Sequence, residues 1–135
     1  MKLINIFSYV LLAVLLSSCG NGGTDPKPVD PSIVINKAGL LTVNETWNAD
    51  SIYVLTGRFV IDAGVTLTIE PGTIIKGKEG DGANASVLIV SKGGLIDAQG
   101  TADQPIVMTS VLDNINVGQR NGSNLDETDK GLWGG

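Results

Sequence analysis

The sequence predicts an all-β solenoid, a stack of coils in which short strands are joined by glycine turns. Three observations point there. Apolar residues recur with a period of two, turn residues bound each apolar run, and one strand-turn-strand-turn unit occurs twice. Successive side chains of a strand point to opposite faces, so a two-residue period selects strands over helices.

The chain opens differently. Lys2 is followed by the apolar run Leu3 to Leu16 and then by Ser17-Ser18-Cys19, which is the order of parts in an export signal. As a helix at about 1.5 Å per residue this run reaches only ~21 Å, short of a ~30 Å hydrocarbon core, so it does not predict a permanent membrane span. Leu16-Ser17-Ser18-Cys19 has the form of a bacterial lipobox, in which the peptide is cut before Cys19 and acyl chains are attached to the thiol. A secretory peptide with a chance cysteine is the competing reading. Several acyl chains at about 0.8 kcal/mol per buried CH₂ make a durable anchor where one chain is marginal. The expected organisation is a lipoprotein signal peptide at 1–18, a lipidated Cys19 with a flexible Gly/Pro tether at 19–31, and an N-terminal cap with the first coils at 32–135.

The chain has one cysteine and no histidine. With Cys19 consumed by lipid, disulfides, zinc sites and Cys/His catalysis are excluded within this sequence. Nine basic residues face fourteen acidic ones, and loss of Lys2 with the signal leaves a net charge of −6. That balance argues against nucleic acid and against an anionic membrane surface as partners, since both reward clustered Lys and Arg.

After the tether Gly20 to Pro31 come the predicted strands. Ile52 to Leu55 and Phe59 to Ile61 are short apolar runs. Val65, Leu67 and Ile69 then alternate with Thr66, Thr68 and Glu70, Pro71-Gly72 turns the chain, and Thr73 to Ile75 resumes it. Lys76 to Ser86 reads as a polar loop between coils. Val87 to Val90 and Ile106 to Met108 complete the set, and Val111 to Lys130 is a long polar excursion. No amphipathic helix is predicted after the signal. Only 4% of residues are aromatic, so the core is expected to consist mainly of Val, Ile and Leu.

The repeat lays Phe59 to Gly72 over Leu88 to Gly100, placing Leu67 over Ile96 and Ile69 over Ala98. Units of this length bury their apolar faces by stacking on neighbours. Val65, Leu67, Ile69, Ile96 and Ala98 are therefore expected on one inward face, and Ile96, Ile106 and Met108 on the edge of the last coil. A Greek-key sandwich also suits short strands with Gly turns.

Several segments together resemble a known family. They are Trp47 to Leu55, Gly64 to Gly77, Leu88-Ile89-Val90 with Gly93 and Gly94, Gly100-Thr101-Ala102 with Gln104 to Val107, Thr109-Ser110, and Leu132-Trp133-Gly134-Gly135. Across nearly all of Gly39 to Gly135 the chain is similar to Bacteroidetes-type cell-surface lipoproteins with a right-handed parallel β-helix of the pectin-lyase-like kind. The resemblance implies that fold and a surface-exposed place on the outer membrane, and no particular activity. In relatives the Trp-Gly-Gly element opens a further strand and more coils, so the expected solenoid is an incomplete, N-terminal one.

Candidate chemistry is sparse. Arg58, Lys76 and Lys92 lie near predicted strand ends, and Asp62, Glu70 and Asp97 near turns. They form no recognisable acid/base set, and no nucleophile-elbow, phosphate-loop or zinc-protease pattern is present. Glu79 to Asn84 and Asp126 to Asp129 concentrate oxygen ligands of the kind calcium favours, without the spacing of a calcium-binding loop. Asn44, Asn84 and Asn121 each begin an Asn-x-Ser/Thr triplet, which carries little weight behind a bacterial lipobox. Trp47 and Trp133 read either as plugs at the ends of a coil or as sugar-stacking platforms. No catalytic residue, metal or cofactor is expected. The expected function is a lipid-anchored scaffold that binds glycan or a surface protein, with membrane lipid as its partner through Cys19. The alternative is the N-terminal part of a polysaccharide-active enzyme.

Overall fold

The computed structural model describes residues 32–133. The signal, the tether and Cys19 lie outside them. Among the described residues there are eight strands, a 3₁₀ turn at Gly82–Asn84 and no α-helix. The strands are β1 (Ile33–Leu41), β2 (Glu45–Trp47), β3 (Ser51–Ile61), β4 (Thr66–Ile69), β5 (Ile74–Gly77), β6 (Val87–Val90), β7 (Leu95–Ala98) and β8 (Val107–Ser110).

All pairings are parallel. One sheet runs β1-β3-β5-β8, with β6 also on β3, and the second runs β2-β4-β7. The chain alternates between the two sheets, with β5 and β6 together taking one turn in the first, so it winds as a parallel β-helix, and a Greek-key sandwich is excluded because that needs antiparallel pairs. The repeat holds as predicted: Phe59 pairs with Leu88, Leu67 with Ile96 and Ile69 with Ala98.

Three parts of the sequence reading are corrected. The two runs either side of Thr56 belong to one strand, β3, with a bulge where Lys37 pairs with Leu55 and Gly39 with Phe59, leaving Ala38 opposite Thr56 to Arg58. β1 and β2 are an additional coil above the predicted ones. The repeat also ends differently: the Gly72 amide donates to the Gln104 carbonyl at 3.0 Å, so Gly100 to Asp103 bulges out of the alignment.

Register also shows how the coils lengthen. Ile52 pairs with Ile74, Phe59 with Leu88 and Ile74 with Val107, offsets of 22, 29 and 33 residues. The loop after Gly77 accounts for the first increase, and the Gly100 to Asp103 bulge for the second. Between them the turn itself is conserved in shape: Gly64 and Gly93, with φ of 76° and 90°, sit one above the other, and the Gly64 amide donates to the Gly93 carbonyl at 2.8 Å. Only glycine takes that left-handed backbone without strain, which fixes where each coil turns from the first sheet to the second.

The inward row of β3, Tyr53, Leu55, Phe59 and Ile61, packs against Val65, Leu67 and Ile69 from the opposite sheet, with Leu41, Trp47 and Ile75 closing the cluster. Few as they are, the aromatics concentrate here. Trp47 is fully buried, its ring stacked on Tyr53 at 4.6 Å and tilted on Phe59 at 5.4 Å. Above it, Lys37 pairs with Glu45, whose Oε1 also accepts the Trp47 indole N–H at 2.8 Å. Trp47 thus fills the first coil beneath a polar pair, and a buried ring offers no platform for a sugar.

The opposite end is open. Ile96 and Ala98 keep their register yet are exposed, Ile96 at 42%, because no described strand lies over β7. The expected burial of Ala98 is corrected on that ground, while Ile96 is exposed as expected of the edge of the last coil. Met108 is exposed as well and Ile106 half-buried, as expected of a last coil.

Leu67→Asp is expected to place an unpaired charge in the interior, which costs at least several kcal/mol out of a typical ~5–15. Thr68→Asp, on the outer face of the same strand, should be tolerated. Denaturant melts of the two variants decide it, and equal destabilisation would show that the inward face has been assigned wrongly.

Candidate functional site

Gly77 at the end of β5 pairs with Ser110 at the end of β8, and from these stacked positions the chain leaves the coil twice. Residues 78–86 form the first excursion and residues 111–132 the second. Both therefore emerge from the same point of the stack, the first of them between β5 and β6, which pair one after the other along β3. Insertions confined to one side of a solenoid leave the stacking undisturbed and build a surface there.

The first excursion is short and braced. Its 3₁₀ turn is closed by the Asn84 amide on the Asp81 carbonyl at 2.9 Å, and Arg58 Nη2 donates to the Gly82 carbonyl at 3.2 Å. At Gly80 an added Cβ would lie 2.2 Å from the Asn84 carbonyl oxygen, so the loop closes only around glycine.

The second excursion is not the structureless polar loop that its composition suggests. It folds back over the outer face of the first sheet, where Ile115 is fully buried among Ile52, Val54 and Ile74, with Val107, Val111 and Val117 around them. Polar side chains clip it in place. Asp113 accepts from Thr109 Oγ1 at 2.8 Å and from the Ile115 amide at 2.9 Å. Asn124 accepts from the Asn114 amide and donates to the Leu112 carbonyl, both at 2.8 Å. Under this strap lies Lys76, only 9% exposed, its ammonium donating to the Asp113 carbonyl at 2.8 Å.

Where the strap ends, Trp133 returns to the coil. Its ring lies against Gly77, where an added Cβ would meet it at 2.3 Å, and its indole N–H donates to the carbonyl of Ser86. Trp133 therefore packs on the core from the side and is half-buried. Between this ring and the first excursion lies an open cleft of about 430 Å³, lined by Glu79, Asp81, Ala85 and Trp133 together with glycines of both excursions.

The charged candidates from the sequence do not converge. Arg58 is committed to Gly82 and Lys76 to Asp113. Asp62 accepts from the Ala63 amide at 2.8 Å and Asp97 from Gln99 at 2.9 Å, each within its own turn or strand end. Glu70 and Lys92 are exposed. Of the calcium candidates, Asp126 accepts from the Thr128 amide and hydroxyl, bonds that hold its carboxyl below the ordinary carboxylate value, and Asp129 accepts from the Asp126 amide. Among the described residues no three acidic side chains gather as metal ligands. Asn44 accepts from the Thr66 amide, bridging the first two coils at 2.8 Å.

The sequence offers Glu79 and Asp81 in one loop and Trp133 more than fifty residues later, with no local pattern to join them as one site. The remaining signal was Gly77, a bare position at the end of a buried strand, which left room for a large side chain from elsewhere.

A family model described as a pectate-lyase-like β-helix domain matches residues 39–125, well over half of the chain. The protein belongs to that family. No curated protein and no solved structure matches it.

Burial holds the Lys76 ammonium below the ordinary lysine value of 10.5, and the charge of Asp113 opposes the shift. A lysine depressed in the folded state binds its proton more readily when unfolded, so stability rises with pH between the folded value and 10.5. Below that window the cost of burying the charge is present in full. Thermal melts of the wild type should therefore climb more steeply on the way to pH 10.5 than those of Lys76→Met, and superimposable pH profiles would remove Lys76 as the source.

Proposed function

We propose that this protein is a lipid-anchored scaffold of the cell envelope, held through Cys19 and exposed at the outer-membrane surface, whose β-helix presents stacked loops to bind glycan without cleaving it. The observation that carries the reading is the placement of the two excursions. They leave one sheet at paired positions and meet across an open cleft that holds a half-buried tryptophan. Loops displayed on a rigid scaffold are where binding surfaces are usually built. The separation of Arg58, Lys76, Lys92, Asp62, Glu70 and Asp97 supports a binding role over an acid/base one, since general acid/base work needs its groups within hydrogen-bond reach of one reacting centre.

The anchor rests on the sequence Leu16-Ser17-Ser18-Cys19. Twelve residues, Gly20 to Pro31, separate Cys19 from the described coil, and a chain of that length spans at most about 40 Å at ~3.3 Å per residue.

Metabolic labelling with palmitate tests the anchor and polysaccharide incubation tests the chemistry. Wild-type protein should take up label and Cys19→Ala should not, and cells displaying the protein should retain polysaccharide with no new reducing or unsaturated ends released. Absence of label from the wild type removes the anchor. Release of such ends by the purified chain replaces the scaffold with a polysaccharide-active enzyme.

A further inference from the structure

We infer that the cleft between the first excursion and Trp133 is a subsite for an uncharged pyranose ring and that it rejects uronic acids; the inference rests on the glycan-binding reading above and names the sugar class it takes. Size comes first. About 430 Å³ falls within the range of small-ligand pockets and accommodates one or two sugar rings.

Aromatic chemistry supplies the platform. The Trp133 indole is held from two sides, by its N–H on the Ser86 carbonyl and by its ring against Gly77. What remains exposed is fixed in orientation before a ligand arrives, which cuts the ordering cost of binding. An indole face is apolar and broad, and so is the face of a pyranose ring that carries its axial C–H bonds.

The polar groups set the selectivity. Glu79 and Asp81 are both exposed on the cleft wall and, as carboxylates, only accept hydrogen bonds. Sugar hydroxyls donate to them. A uronate carboxylate brings a further acceptor and a like charge, which costs binding instead of adding to it. No Lys or Arg lines the cleft among the described residues, and the one guanidinium that reaches this loop, Arg58, is held on the Gly82 carbonyl. The wall is thus built to meet donors.

The loop that carries both carboxylates is braced through its backbone. The 3₁₀ turn bonds the Asp81 carbonyl and Arg58 the Gly82 carbonyl, which fixes the backbone at Asp81 on the cleft wall without help from a ligand. Platform and acceptors therefore come from two separate excursions, which explains why the feature depends on the register of Gly77 over Ser110.

The protein carries two tryptophans, and Trp47 is fully buried, so a ligand-induced change in emission reports Trp133. Calorimetry and tryptophan emission are run side by side on the full lipidated chain in detergent, with neutral gluco-, manno- and xylo-oligosaccharides against oligogalacturonate. At least one neutral oligosaccharide should bind and shift the emission, at tenfold or more higher affinity than oligogalacturonate. The double variant E79Q/D81N, at two exposed positions, should bring the two ligand classes within about threefold of each other. Oligogalacturonate bound as tightly as the neutral sugars overturns the proposal, as does undiminished discrimination in the double variant. Heat of binding without a change at Trp133 places the sugar elsewhere, overturning this subsite and leaving the glycan reading intact. Absence of heat with every oligosaccharide overturns both.

Discussion

A single coil of this chain cannot bury its own inward side chains; it needs the coil above and the coil below to cover them. Everything else in the structure follows from that. Leu67 and Ile69 are buried because Glu45 and Trp47 pair on one side of them and Ile96 and Ala98 on the other. One step further down, the same inward positions in β7 are exposed, with no change in sequence character. Burial here is a property of position in the stack, and the interaction that sets position is the parallel ladder.

The first and last described coils differ. At the first coil the aromatic cluster of Trp47, Tyr53 and Phe59 fills the interior, and the Lys37–Glu45 pair lies over it, turning a charged face outward. Lys37 sits 5.9 Å from the centre of the Trp47 ring, so the cation is held by the ring as well as by the carboxylate. At the last described coil Ile96 and Met108 remain uncovered along unpaired strand edges. Between these ends, length is added only where it leaves the ladder intact. Extra loop residues cost little closure entropy, about 0.6 kcal/mol per doubling of loop length, which is why coils of such different length share one register. The stacked position that tolerates long loops is also the one that acquires a cleft.

The alternation from Val65 to Ile69 and the Phe59-over-Leu88 repeat made strands, turns and register readable from sequence, because both are local patterns that the ladder copies directly. β1 escaped notice since Lys37, Ala38 and Gly39 interrupt its apolar run, and three-residue β2 is too short to show a period. The strap was misread because its apolar residues, Val111, Ile115 and Val117, are scattered among Asn and Asp. Ile115 finds its partners on β3 and β5, far away in sequence, and the Asp113 and Asn124 clips exist only once the strap is folded back. The cleft was illegible for the same reason. Its wall and its platform are brought together by the stacking of Gly77 on Ser110, a fact of three dimensions that neither segment carries alone.

That register is best tested by cross-linking. Thr68 and Asp97 are paired across β4 and β7 on the outer face, and neighbouring strands at about 4.8 Å fall within the Cα separations a disulfide spans. In a Cys19→Ala background, which removes the single native cysteine, the pair Thr68→Cys with Asp97→Cys is predicted to oxidise readily in the folded protein, while Thr68→Cys with Gln99→Cys, slipped by two residues on the same face, is predicted to stay reduced. Ready oxidation of the slipped pair with failure of the aligned one would contradict the stacking register on which the core, the strap and the cleft all depend.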